Sequence, residues 1–146
     1  ASIATIANAA FWFGLVRHLA EGQRPLWSQM SFSAAEENFQ IAAERGIDAQ
    51  VYWPGVGQVR ATELVLRRLL PMAHEGLAAW GVPADQRDRY LGIIEGRCLG
   101  TTNGAEWFVQ QMRERSSEER YPALRATLQD YRQRMHTNEP VHTWGR

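Results

Sequence analysis

The run "SIATIANAAFWFGLV" at residues 2–16, apolar apart from Ser2, Thr5 and Asn8, constrains the fold more than any other stretch of the chain. A helix with apolar residues on nearly every side must be shielded from water over most of its circumference. Fifteen such residues fall short of the ~20 that span a bilayer. No basic stretch precedes them, as one would in a secretory leader. The run predicts a helix over about 2–21, ended by Gly22 and buried at the centre of the fold. Chain termini usually lie at surfaces. A most-buried helix at the very start therefore leads us to expect the C-terminal portion of something larger, the other possibility being that residues 1–146 form a single domain.

The later segments read as further helices around one β-hairpin. "SAAEENFQIAAERG" predicts a helix over about 33–45, capped by Ser33 with Glu36 completing a capping box, and stopped by Gly46. Ala35, Phe39, Ala42 and Ala43 form its apolar face. "IDAQVYWPGVGQVRA" switches to a period of two around a "PGVG" turn, the one hairpin signal in the chain. A helix over about 62–80 carries Pro71, which should kink it or break it in two, and Leu64, Leu70, Leu77 and Trp80 give it a buried face. Pro83 opens the next helix, which runs to Gly100. In "RCLGTTNGAEW", Asn103 or Thr102 caps a helix to about Arg115, with Glu106 three residues after Asn103. Leu124, Leu128, Tyr131 and Met135 define the face of a last helix, and "EPVHTWGR" forms an extended tail after it. The expected class is mainly α: a helical bundle with one short β-hairpin.

Charge and residue usage narrow the chemistry. Sixteen basic and sixteen acidic residues cancel, so no net field draws nucleic acid or an acidic membrane. Every basic residue is arginine, which removes lysine chemistry from this chain. Arg113, Arg115 and Arg120 cluster loosely, but Glu114, Glu118 and Glu119 neutralise them, as on a solvated face. A lone cysteine, Cys98, forms no internal disulfide and points to a reducing, cytoplasmic setting, where it acts as a small buried hydrophobe. His18, His74, His136 and His142 lack metal-ligand spacing, so no metal site is expected on this chain. His142, between Val141 and Trp144, reads as a packed histidine in a docking tail.

Two places could hold polar site residues. Glu37, Asn38 and Arg45 could line a cleft, or could simply belong to a solvated helix face. Thr101, Thr102 and Asn103 precede a helix N-terminus whose free N–H groups and dipole suit an anion. Arg97 just before them could pair with a carboxylate or phosphate. The plainer reading of that stretch is a turn and a cap.

Taken in order, four segments resemble the C-terminal half of bacterial glutamate–cysteine ligase-like proteins, the ATP-dependent carboxylate–amine ligases. "SIATIANAAFWFGLVRHL" resembles the apolar helix after that family's catalytic strand. "EENFQIAAERGIDAQV" is similar to its helix-and-strand motif, "ATELVLRRLLPMAHEGLAAWG" to a later helix, and "GTTNGAEWFVQQM" to its "G-T-[ST]" step. "NEPVHTW" resembles the ending of a subgroup. The resemblance implies an α+β glutamine-synthetase/glutamate–cysteine-ligase-like fold, of which this chain supplies the helical wall and a hairpin edge. It implies that ATP and Mg²⁺ serve the reaction, bound mainly by an N-terminal part of the same protein or by a separate chain supplying it. Amino acids would be the substrates, with no nucleic acid or membrane as partner and with homo-oligomers possible. It places Glu37 and Asn38 on the "EEN" motif and Gly100, Thr101 and Thr102 on the "G-T-[ST]" step. Ala105 stands where some relatives carry an arginine, and Arg45 is one position off the motif's arginine. A non-catalytic helical binding or regulatory module is the other reading of the chain.

Overall fold

A computed structural model describes residues 2–22 and 24–144. Its class is mainly α with a single two-stranded hairpin, as the sequence predicts. The elements run α1 (Ile3–Glu21), α2 (Phe32–Arg45), β1 (Gln50–Trp53), β2 (Gly57–Arg60), α3 (Ala61–Leu64), a π-helical segment (Val65–Leu69), α4 (Leu70–Ala79), α5 (Ala84–Gly100), α6 (Gly104–Glu114) and α7 (Arg120–Thr137). Single 3₁₀ turns occupy Leu26–Ser28, Gly46–Asp48 and Val141–Thr143.

The main core lies where α1 crosses α4 and α5. Ala7, Phe11 and Leu15 of α1 pack on Leu70, Ala73 and Leu77 of α4 and on Leu91, Ile93 and Ile94 of α5. Glycines set how closely the first two helices approach. A Cβ on Gly14 would sit 2.8 Å from Ala73 Cα, and one on Gly76 would overlap the Gly14 carbonyl and lie 3.0 Å from His18 N. Backbone therefore meets backbone with no side chain between, a geometry that only glycine permits here.

Burial of α1 differs from the sequence expectation. Its inner stripe is buried, but Trp12, Phe13 and Val16 are 64%, 61% and 63% exposed. With 19 residues, α1 has the length and apolarity of a membrane span, though its inner face packs on α4 and α5.

No loop interrupts the helical chain at Pro71; its winding changes instead. The chain widens into a π turn over Val65–Leu69 and resumes as α4 with Pro71 in the first turn. Proline lacks an N–H and its ring would press on the carbonyl four residues back. A π turn just before it shifts that carbonyl out of register. Leu64, Leu70 and Leu77 are buried as predicted, whereas Trp80 is 62% exposed and rests against Phe13 with ring centroids 6.3 Å apart.

Helix α2 begins one residue earlier than predicted, because Ser31 rather than Ser33 caps it, its Oγ accepting from Ala34 N at 3.2 Å. Its predicted apolar face, Ala35, Phe39, Ala42 and Ala43, points to solvent. The opposite side holds the hairpin. Asn38 Nδ2 donates to Tyr52 O at 2.8 Å and Asn38 Oδ1 accepts from Tyr52 N at 2.7 Å. The side-chain amide thus pairs with β1 as a third strand would. Ala49, Val51 and Leu64 form a small core beneath it with Ile41. The strands pair antiparallel, with Val51 opposite Val59. Asn38→Ala removes both bonds to Tyr52, whose exposed backbone groups then turn to water, so we expect a loss of about 1 kcal/mol, with faster amide exchange in β1. Unchanged exchange at Tyr52 would count against the clasp.

The last helix also turns differently from its predicted face. Ala123 and Thr127 are its buried residues, while Leu128 and Met135 are about half exposed. The tail is not extended: it closes into the turn Val141–Thr143, and Val141 and Trp144 are buried.

Candidate functional site

The stretch from Arg97 to Asn103 is where α5 gives way to α6. Gly100 ends α5, but Thr101 takes the left-handed conformation usual for glycine (φ 46°, ψ 47°). Thr101 N donates to Cys98 O and Thr102 N to Arg97 O, which satisfies the last carbonyls and reverses the chain. Asn103 is then extended, and its Oδ1 accepts from Glu106 N at 2.9 Å as the N-cap of α6. Between the two capping candidates, Asn103 is the one used.

The C-terminal turn closes over this junction. Trp107, Val141 and Trp144 form a separate core, flanked by Phe108 and Tyr131. Trp144 meets Trp107 edge-on at 5.2 Å and Tyr131 at 5.4 Å, and its Nε1 donates to Glu139 O. The Arg134 guanidinium lies 5.6 and 5.8 Å from the two indole centroids, within cation–π range. His142 lies flat on α5 at Gly96, where a Cβ would come within 2.6 Å of its Nε2.

Two cavities flank this aromatic cluster. One, of about 310 Å³, is bordered by Ser2, Arg97, Asn103, Gly104, Tyr131 and Asn138. The other, of about 380 Å³, is bordered by Thr101, Thr102, Glu106, Gln110, Arg113 and His142. Arg97 is half-buried, and Nη1 donates to Asn8 Oδ1 at 2.9 Å. Its Nε has no partner among the described residues. Burial lowers its pKa, with a smaller opposing effect from Cys98, yet an arginine starts so high that the group stays cationic. Burial raises the Cys98 thiol, and Arg97 offsets this only in part. A thiol held protonated is no nucleophile.

For His142, burial first and the Arg97 charge second push the imidazole pKa below its ordinary value. Its Nδ1 has no partner among the described residues. A histidine with a lowered folded pKa binds fewer protons folded than unfolded. The turn is therefore at full stability above the ordinary value of about 6.5 and loses stability as pH falls below it. We expect the His142 ring resonances to titrate below that value and the amides of Val141–Trp144 to exchange faster at pH 5 than at pH 7.5. A midpoint at or above 6.5 would contradict this packing.

The structure divides the residues that the sequence singles out. Arg97 and Asn103 border one cavity, Thr101 and Thr102 the other, and all four lie at one junction. Glu37, Asn38 and Arg45 border neither cavity. Glu37 and Arg45 are exposed on α2, and Asn38 is committed to the hairpin. Sequence reasoning missed Asn8, Tyr131, Glu106 and the cavity role of Arg113, which it assigned to a neutralised surface cluster. Arg115, not Arg113, is the arginine held by acidic neighbours, at 2.7 Å from Asp130 and 3.8 Å from Glu118. Glu106 and Arg113 are seven residues apart, two helical turns, so their common face was open to detection from spacing.

No protein-family model, curated protein or solved structure matches this chain.

Proposed function

We propose that the chain is the C-terminal portion of an ATP-dependent carboxylate–amine ligase of the cytoplasm. Such an enzyme joins an amino acid's carboxylate to an amine through an acyl phosphate. The observation that carries this reading is the position of Arg97. Its half-buried guanidinium, with Nε unpartnered among the described residues, borders a cavity between the first turns of α1 and α6. A fixed cation and two positive helix ends form an electrostatic setting for a carboxylate or an acyl phosphate.

Some of the α1 and α6 end groups are already engaged. Ile3 N donates to Asn138 Oδ1, and Ser2 and Asn103 cap their helices. What remains is mainly the field of the helix ends, with Glu139 opposing it from an exposed position on the cavity border. Among the described residues no three His, Cys, Asp or Glu gather as a metal site. Mg²⁺ and ATP would be held mainly by the N-terminal part, as the resemblance implies.

In the assembled enzyme, ADP release should require Mg²⁺ and an amino acid. Arg97→Ala should raise the KM for the acid or lower kcat at least tenfold, as loss of a charge-assisted contact of about 1.5–3 kcal/mol would. Unchanged KM and kcat would remove Arg97 from the site. If the assembled protein releases no ADP with any amino acid, the non-catalytic binding module becomes the better account.

A further inference from the structure

The larger of the two cavities beside the aromatic cluster is not used by the Arg97 site. At about 380 Å³ it falls at the small end of ligand sites. Glu106 and Arg113 border it from one face of α6, seven residues apart and so separated by about 10 Å of helix rise. That is beyond the three or four residues over which helix side chains pair. Neither makes an ion pair among the described residues. Glu114, next to Arg113 in sequence, is taken up by the Gln110 and Gln111 amides at 2.8 and 3.0 Å. One cavity is thus flanked by an uncompensated carboxylate and an uncompensated guanidinium.

The walls between these charges carry unpaired polar atoms. Trp107 is 6% exposed, borders the cavity, and has an indole N–H without a partner among the described residues. His142, which borders it from the C-terminal turn, has a buried Nδ1 that is likewise unpartnered. Buried polar atoms nearly always have a partner, whether protein, water or ligand. The arrangement suits a molecule with a cation at one end, an anion at the other and hydrogen-bonding groups between. Length selects among such molecules. The two charges of a free α-amino acid lie about 3 Å apart, and reach both side chains only if these bend toward each other. An extended peptide gains about 3.4 Å per residue, so two or three residues bring both ends into place at once.

We propose that this cavity binds a peptide of two or three residues by its free ends. Glu106 takes the ammonium group, Arg113 the carboxylate, and Trp107 and His142 the amides between them. The site is separate from the Arg97 cavity and stands whether or not the chain belongs to a ligase.

Titration of the full-length protein with triglycine, read at the indole N–H resonance of Trp107, is the test. The resonance should move and saturate with a dissociation constant of about 1 mM or below, the strength expected of a ligand of this size. Triglycine amide lacks the carboxylate and N-acetyltriglycine lacks the ammonium group, and each should bind about tenfold or more weakly, as loss of one charge-assisted contact predicts. Glycine should be weaker by the same margin. Glu106→Gln should bind triglycine as weakly as wild type binds the acetylated peptide, and Arg113→Gln as weakly as wild type binds the amide. Both side chains are exposed, so the fold survives either change. A Trp107 resonance unmoved far above that concentration would overturn the proposal. So would equal binding of glycine or of the blocked peptides, or variants that bind triglycine as wild type does.

Discussion

Replacing Gly76 by alanine should destabilise the protein by roughly 3 kcal/mol or more, at the upper end of what overpacking costs. Two effects compete in this substitution. Alanine is the better helix former, by about 1 kcal/mol, and at an open position that gain would decide the sign. Here the added methyl would overlap the carbonyl of Gly14 and press on His18 N. Both are backbone atoms in the middle of a helix, so neither can rotate away as a side chain could. The helices must part, and Ala7, Phe11 and Leu15 then lose contact with Ala73 and Leu77 together. Urea unfolding followed by circular dichroism measures the change. A midpoint equal to or above wild type would show that α1 and α4 do not meet backbone to backbone.

Trp107→Ala should cost about 3–5 kcal/mol, the range for deleting a buried indole. Its effect should also be localised. Trp107 is 6% exposed and forms the floor on which Trp144 stands edge-on. Without it Trp144 and Val141 lose their core, Arg134 loses one of its two indole faces, and His142 loses the turn that holds it over Gly96. Amide exchange should therefore rise most in Val141–Thr143 and at the start of α6. The α1–α4–α5 core should change little, since it is a separate cluster. Uniformly faster exchange across both clusters would mean that the two cores act as one.

The helices and the hairpin were legible because caps and stops act locally. Asn103, Pro83, Gly46 and the "PGVG" turn fix backbone conformation within a few residues, so they can be read without knowing the fold. Faces were harder to read. Phe39 and Leu128 sit at sound helical spacing and yet face water, while Thr127 is fully buried. Periodicity reports that an apolar stripe exists, not which layer covers it. Among the described residues, nothing covers the outward apolar positions of α1 and α2, Trp12, Phe13, Val16 and Phe39 included. The site was legible in part. Arg97, Thr101, Thr102 and Asn103 share one junction because they are neighbours in sequence. Asn8 and Tyr131 reach the same place only through the packing of α1 and α7, which no local signal encodes. Asn38 was singled out for polarity that the fold spends on Tyr52.

That amide clasp makes the two edges of the hairpin unequal. Any open strand edge invites another chain to pair with it, and proteins must manage that hazard. At Tyr52 the edge of β1 is already occupied by a side chain that belongs to a helix, so an incoming strand finds its hydrogen bonds taken. The far edge has different protection: Gln58 and Arg60 are exposed along β2, and a charge at a strand end discourages stacking of identical copies. A newly made chain whose α2 has not yet docked would lack the first safeguard and keep only the second. The order in which helix and hairpin meet thus bears on whether the polypeptide stays soluble while it folds.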